Sequence, residues 1–385
     1  MDWIKKSDSA IYNSLLSHIK LWQLFGIYPF NSWSMVSYYS YSLVTFLVLV
    51  CPVPIMAACF LMYQPQIQLG TSETVMIVTE LGINILKYGY LKTQSNALAK
   101  LFDWLREPMF NYVPDKEKQI LDEAFRIYYT ISRIGYSTNM ICVSLWYIKM
   151  LSDENQLPSK LFGNENIYLK SFMYFLLTIG FFFTGFANMS FNLIVIGLIY
   201  HAALQVRIIK SLMGNLYEYA NEQPDDLKNE VAYRQIAHCA RRYWLVKSFV
   251  ASIESTFSLP LFFQLCVSIL VTCFVCLQFF MSDALSYTII FPIIALVTVF
   301  LEEFMYCFIG NLIFEETSQF NTDLYLTDWI NLDVKCRKAF IILRENSKKP
   351  IIIRAGKLLD LSLQTFAMLV RRSYSLQTVV FRYKN

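Results

Sequence analysis

Apolar runs about as long as a bilayer is thick interrupt this chain repeatedly. Bounded by charged residues or turn signals, they lie near Val36 to Met62, Thr74 to Tyr90, Ile127 to Ile148, Ser171 to Tyr200, Phe249 to Phe280 and Tyr287 to Phe314, and a last one ends at Phe381. Crossing roughly 30 Å of hydrocarbon takes about 20 helical residues, in which every backbone N–H and C=O finds its partner inside the segment. With 56% hydrophobic and only 16% charged residues, the chain is too apolar for an ordinary soluble domain. The expected fold class is therefore all-α: a polytopic membrane protein with seven transmembrane helices. The second run is the least regular, because Glu80 and Lys87 interrupt it.

Orientation follows from lysine and arginine. The segment before the first run holds 3 of them, and the second, fourth and sixth loops hold 6, 7 and 8, against 0, 3 and 0 in the first, third and fifth. Positive loops stay in the cytosol, so the N-terminus is expected to be cytoplasmic and the C-terminus extracellular. No proline occurs from Tyr168 to Tyr219, and one helix over that stretch would extend about 78 Å, more than twice the bilayer core. Its surplus should project into the cytosol. There, charged flanks (Arg234, Arg241, Arg242 and Lys247 before run five, Glu315 and Glu316 on to Lys335 after run six) would pack helix on helix in an anchor bundle. Asn221 to Asp226, around Pro224, is the expected break. The organisation expected is 1–314 for the N-terminal segment and spans one to six, 315–358 for the anchor, and 359–385 for the last helix. The first twenty residues lack an apolar core behind a basic start, so no cleavable signal peptide is expected.

Catalysis has no visible basis: P-loop, GxSxG, HExxH and glycine-rich phosphate-binding patterns do not occur. Most of the nine cysteines lie inside apolar runs, and the Cys273 to Cys276 pair lacks a second pair or a neighbouring histidine. His18, His201 and His238 share no ligand spacing. The chain is expected to be no enzyme, to carry no metal or cofactor, and to bind no nucleic acid. Glu302 and Glu303 are adjacent, so on a helix they point about 100° apart; the expectation is that they face solvent or basic partners where run six leaves the membrane. Asn188-Met189-Ser190 matches a glycosylation acceptor, but inside run four it reads as chance.

The 31 Phe, 25 Tyr and 7 Trp serve packing and interfacial belts, and they also suit a small-molecule pocket in the outer half of the bundle. Asn139, Cys142 and Trp146 share one face of run three, and Phe175, Thr178 and Phe182 one face of run four. Thr79 and Ile83 on run two, Phe280 at the end of run five, and Tyr287 and Phe291 at the start of run six complete the candidate ligand-binding set. The last run places Arg371 and Arg372 within apolar sequence, and Tyr374, Gln377, Thr378 and Phe381 fall at i, i+3, i+4 and i+7. Charges at membrane depth mark a water-filled path or a protein partner. Several copies of such a stripe around an axis would enclose a pore.

The tail carries a sequence resemblance as well. SLQTF (Ser362 to Phe366), a basic position before Ser373-Tyr374-Ser375, and a short apolar end are similar to the last-helix signature of the insect odorant receptor family. The inverted seven-helix topology and the size agree with it. The resemblance implies a ligand-gated, non-selective cation channel: a tetramer in the plasma membrane of a sensory neuron dendrite, opened by small volatile odorants bound in the outer half of helices two to six. By position, Tyr374, Gln377, Thr378 and Phe381 would line its pore. Gates in the family are commonly apolar near Gln377. The polar residue here implies that the chain works in a heterotetramer with the shared odorant co-receptor, as its tuning subunit. It is not expected to be the co-receptor itself, since the fourth loop lacks that subunit's long insertion and the tail ends FRYKN. The alternatives are a gustatory-type homotetrameric channel and a transducer-coupled seven-helix receptor.

Overall fold

The computed structural model describes residues 9–29, 34–50, 69–152, 167–216, 218, 224–281, 290–327 and 329–384. Helix dominates: α1 (Ala10–Leu24), α2 (Met35–Val50), α3 (Leu69–Thr93), α4 (Ser95–Leu105), α5 (Lys118–Ser152), α6 (Ile167–Gly214), α7 (Asp225–Met281), α8 (Ile290–Leu326), α9 (Val334–Ser347) and α10 (Leu363–Lys384). The proline-free stretch does form one 48-residue helix, and α7, starting directly after Pro224, runs for 57 residues. Among the described residues, three segments are long and apolar enough to cross a membrane: Thr178–Gly214, Leu227–Val275 and Ile293–Leu326.

The bundle is organised around α6, which packs against α1, α2, α3, α5, α7 and α8. Its stretch from Ala187 to Ile209 is almost wholly buried and mostly apolar, as suits a central helix, and its buried polar side chains include Ser190, Asn192, His201 and Gln205. Trp22 of α1 is fully buried with its ring stacked on Phe191 of α6, centroids 6.3 Å apart. The outward faces are apolar too. Leu259, Phe263 and Leu270 on α7, and Ile293, Val297, Leu301 and Phe308 on α8, are exposed at helical spacing. Stripes of this kind have lipid as their natural solvent.

Charged residues at the far ends of the long helices hold them together, as the amphipathic flanks predict. Glu316 of α8 meets Arg207 at 2.5 Å and Lys210 at 3.4 Å, both on α6, and Lys210 also reaches Asp323 at 3.1 Å. Arg242, on the flank before run five, is completely buried. It donates to Gln205 Oε1 from Nε (2.9 Å) and Nη2 (2.6 Å), to the Tyr112 carbonyl (2.9 Å) and to the Phe110 carbonyl (3.4 Å). A guanidinium has five fixed donors, and here they fasten the α4–α5 connection to α6 and α7.

A small antiparallel hairpin, β1 (Arg354–Ala355) and β2 (Leu359–Asp360), departs from the purely helical expectation. It turns through Gly356 (φ 60°) and Lys357 (φ 59°). A side chain at Gly356 would strike the Phe262 ring at 2.7 Å, so glycine there lets the turn lie on α7. Ser258 holds it in place: its carbonyl accepts from Gly356 N (2.8 Å), and its hydroxyl donates to the Arg354 carbonyl (2.8 Å). The hairpin delivers the chain to α10.

Candidate functional site

Five helices, α3, α5, α6, α7 and α8, meet around a cavity of about 130 Å³. Leu81, Val143, Phe181, Val271 and Val299 give it apolar walls, and Glu80, Asn84, Asn139, Asn188 and Glu302 give it polar ones. The polar groups explain the irregular second run. Glu80, Asn84 and Lys87 lie at i, i+4 and i+7 on α3, so they form a single inward stripe. Lys87 is 1% exposed; its ammonium donates to Asn188 Oδ1 at 2.8 Å and lies 4.8 Å from the centroid of the Phe191 ring. Asn188, a chance glycosylation match by sequence, thus holds the buried lysine.

Ala295, Thr298, Val299 and Glu302 of α8 also line the cavity, at i, i+3, i+4 and i+7. The solvent-facing expectation for the glutamate pair is overturned. Glu302 faces the cavity and Glu303 is 3% exposed, accepting a hydrogen bond from the Ser268 hydroxyl of α7. Their divergence follows the helical turn as expected, but both directions lead inward, because α8 is buried on two sides here. Helical spacing carried this signal: Glu302 falls four residues after Thr298 and seven after Ala295.

Four polar atoms on the cavity wall are buried without a hydrogen-bond partner: Glu80 Oε1, Asn84 Oδ1, Asn139 Nδ2 and Glu302 Oε1. Native structures leave few such atoms, since each costs about 1–3 kcal/mol. The four thus turn three acceptors and one donor towards a single space.

Of the candidate ligand-binding residues, Asn139 and Cys142 line this cavity. Thr79, Thr178 and Phe182 are half-buried and are not among its lining residues. Ile83 instead lines a second cavity of about 200 Å³ with Leu259, Pro260 and Phe263 of α7, and Phe175 is 60% exposed. Tyr287 and the side chains of Trp146, Phe280 and Phe291 lie outside the described residues. The backbone of α10 runs through Tyr374, Gln377, Thr378 and Phe381, whose side chains are likewise outside them; Arg371 and Arg372 are exposed, and Ser373 is buried.

The SLQTF segment builds the start of α10. Ser362 Oγ accepts from Thr365 N at 3.2 Å, a side-chain cap for the first turn. The Thr365 hydroxyl donates back to the Asp360 carbonyl of the hairpin at 2.7 Å. Phe366 packs edge-on against Phe304 of α8, centroids 5.5 Å apart. Nearly two helical turns further along α8, Gly310 lies against Leu361, with room for no side chain between them.

A family model described as 7tm Odorant receptor matches residues 66–374. Among individual proteins, the chain is 22% identical to odorant receptor 22b of Drosophila melanogaster over 182 residues, 47% of this chain and 44% of that one. It is 27% identical to odorant receptor 2a of the same species over 180 residues (46% and 43%), and 24% identical to odorant receptor Or1 of Anopheles gambiae over 150 residues (38% and 36%). The matches thus span less than half the length of these curated relatives. In three dimensions the chain is similar to the insect olfactory receptor OR5 from Machilis hrabei in complex with eugenol, with a TM-score of 0.79, 12% identity and coverage of 97% of this chain and 98% of that one.

Proposed function

This chain belongs to the odorant receptor family, and from that membership we propose that it is the tuning subunit of an odorant-gated, non-selective cation channel. It binds a small volatile molecule in the cavity among α3, α5, α6, α7 and α8. It works in a heterotetramer with the odorant co-receptor in the plasma membrane, with seven spans, a cytoplasmic N-terminus and an extracellular C-terminus. The cytosolic ends of the long helices form the anchor, and α10 lines the pore through Tyr374, Gln377, Thr378 and Phe381.

The observation that carries this reading is the position of α8. One face of its first half lines the cavity (Ala295, Thr298, Val299, Glu302), and within two further turns the same helix touches the base of α10 through Phe304 on Phe366 and Gly310 on Leu361. A ligand that fits better when α8 has shifted therefore moves the foot of the last helix with it, and differential affinity for the two positions is all the gating that thermodynamics requires. The eugenol complex of OR5 from Machilis hrabei supports a small aromatic volatile as the kind of molecule such a fold admits.

The test is current recording from cells expressing the chain with and without the co-receptor, against aromatics, esters, alcohols and amines. Odorant-evoked cation current is expected only with the co-receptor, and current from the chain alone would refute the partnership. A tag after Asn385 should be stained on intact cells; staining only after permeabilisation would overturn the orientation. In the assembled channel, Gln377→Leu and Gln377→Glu should change basal leak or ion selectivity, and the pore assignment fails when neither does.

A further inference from the structure

We propose that the cavity selects a small primary amine, held as its ammonium by Glu80, Asn84 and Glu302. The inference deepens the ligand-gated reading above and rests on the cavity being its ligand site.

Charge and donor bookkeeping on the cavity wall leads there. Glu80 and Glu302 bring two carboxyl groups to a space whose one cationic neighbour among the described residues is Lys87. That lysine is already committed, donating to Asn188 and sitting over the face of Phe191. Glu302 is also hydrogen-bonded by Asn192, yet its Oε1 is left over. The unpartnered atoms are three acceptors, Glu80 Oε1, Asn84 Oδ1 and Glu302 Oε1, against a single donor, Asn139 Nδ2. Asn84 is 5% exposed, so water outside the bundle does not serve it. An ester or ketone brings only acceptors and would leave all three wall acceptors unmet. An alcohol brings one donor. A primary ammonium brings three, one for each unmet acceptor, on a cation that can pair with the carboxyl groups of Glu80 and Glu302. Leu81, Phe181, Val271 and Val299 then accept the hydrocarbon tail. Size limits that tail, since a cavity on the order of 150 Å³ holds about one benzene ring. The fitting molecules are thus monoamines of about six to eight heavy atoms, such as isoamylamine or benzylamine.

The experiment measures ligand-induced thermal stabilisation and equilibrium binding on the purified full-length chain in lipid nanodiscs near neutral pH. The probes are isoamylamine, the isosteric isoamyl alcohol, and isoamyl acetate. On the wild-type protein the amine is expected to bind about tenfold tighter than the alcohol or more, the value of a charge-assisted hydrogen bond, and the acetate weakest. Glu302→Gln and Glu80→Gln are expected to remove that preference, so that within each variant the amine and the alcohol bind within about twofold of one another. Equal or tighter binding of the alcohol or the acetate, or absence of amine binding, overturns the proposal on wild-type protein alone, whether or not the variants fold. Retention of the full amine preference in both variants overturns it as well. Because binding is read without current, failure of the channel reading looks different: the amine binds as predicted, and no current follows in the presence of the co-receptor.

Discussion

Adding a single methyl group at Gly310 tests the link between the cavity helix and the last helix. A Cβ at this position falls 2.5 Å from the Leu361 Cβ and 3.0 Å from its carbonyl carbon, and nearer still to the carbonyl oxygen, where carbon atoms are at rest at about 3.5–4.0 Å. Relief takes a displacement of roughly 1 Å. Leu361 has little freedom to supply it, being 2% exposed and tied by its N–H to the Ile353 carbonyl at 2.9 Å. Two effects compete in Gly310→Ala. Alanine gains about 1 kcal/mol of helix propensity over glycine, and forcing an extra carbon into a filled contact costs about 1–3 kcal/mol. The second wins, because the obstacle is backbone and cannot rotate away. The variant should melt below wild type, and because Leu361 immediately precedes the Ser362 cap, its agonist dose–response with the co-receptor should shift or its basal current change. Gly82→Ala on α3 is the control: a Cβ there meets no atom within 4 Å, so only the propensity gain remains and the melting temperature should hold or rise. Gly310→Ala melting at or above wild type with an unaltered dose–response would refute the reasoning.

Arg242→Met keeps much of the side-chain volume but deprives Gln205 Oε1 and the Tyr112 carbonyl of their donor. At about 1–3 kcal/mol for each orphaned acceptor, surface expression and thermal stability should both fall clearly, and unchanged values would show that the clamp carries no load. Ala295→Phe places a ring in the cavity and should abolish responses to agonists with surface delivery intact; normal potency for every agonist would move the ligand site elsewhere. Burial depresses the pKa of His18 from 6.5 to about 4, where it lies against the Tyr136 hydroxyl at 2.8 Å and the Ser132 hydroxyl at 3.4 Å. The unfolded chain therefore binds the extra proton first, so the stability held by neutral His18 is complete above about pH 6.5, is lost as pH falls towards 4, and amounts to roughly 3 kcal/mol. His18→Gln should flatten that part of the melting-temperature profile, and an identical slope in the variant would assign the acid sensitivity to other groups.

Much of the helical architecture was legible in the sequence because it depends on local properties. The absence of proline from Tyr168 to Tyr219 allows the length of α6, Pro224 directly precedes the start of α7, and the SLQTF segment contains its own cap in Ser362. The site was only partly legible. Asn139 and Cys142 could be reached by helical spacing, but that spacing names a face without saying what lies opposite. Glu80, Lys87 and Glu302 looked like flaws or surface charges because hydropathy averages over all sides of a helix, whereas a membrane bundle is apolar outside and tolerates charge only within. The inward direction of Lys87 depends on Asn188 and Phe191 of α6, more than a hundred residues further along the chain, as its partners. The same holds for Arg242, whose acceptors come from residues 110, 112 and 205. In a chain of this class a charged residue breaking an apolar run is therefore better read as pointing at the core than as weakening the span. The rule yields a definite expectation here: Lys87→Met, which removes the charge and leaves Asn188 Oδ1 without its donor, should disturb folding or ligand response more than Leu86→Met on the exposed face one residue away. Equal effects of the two substitutions would sink it.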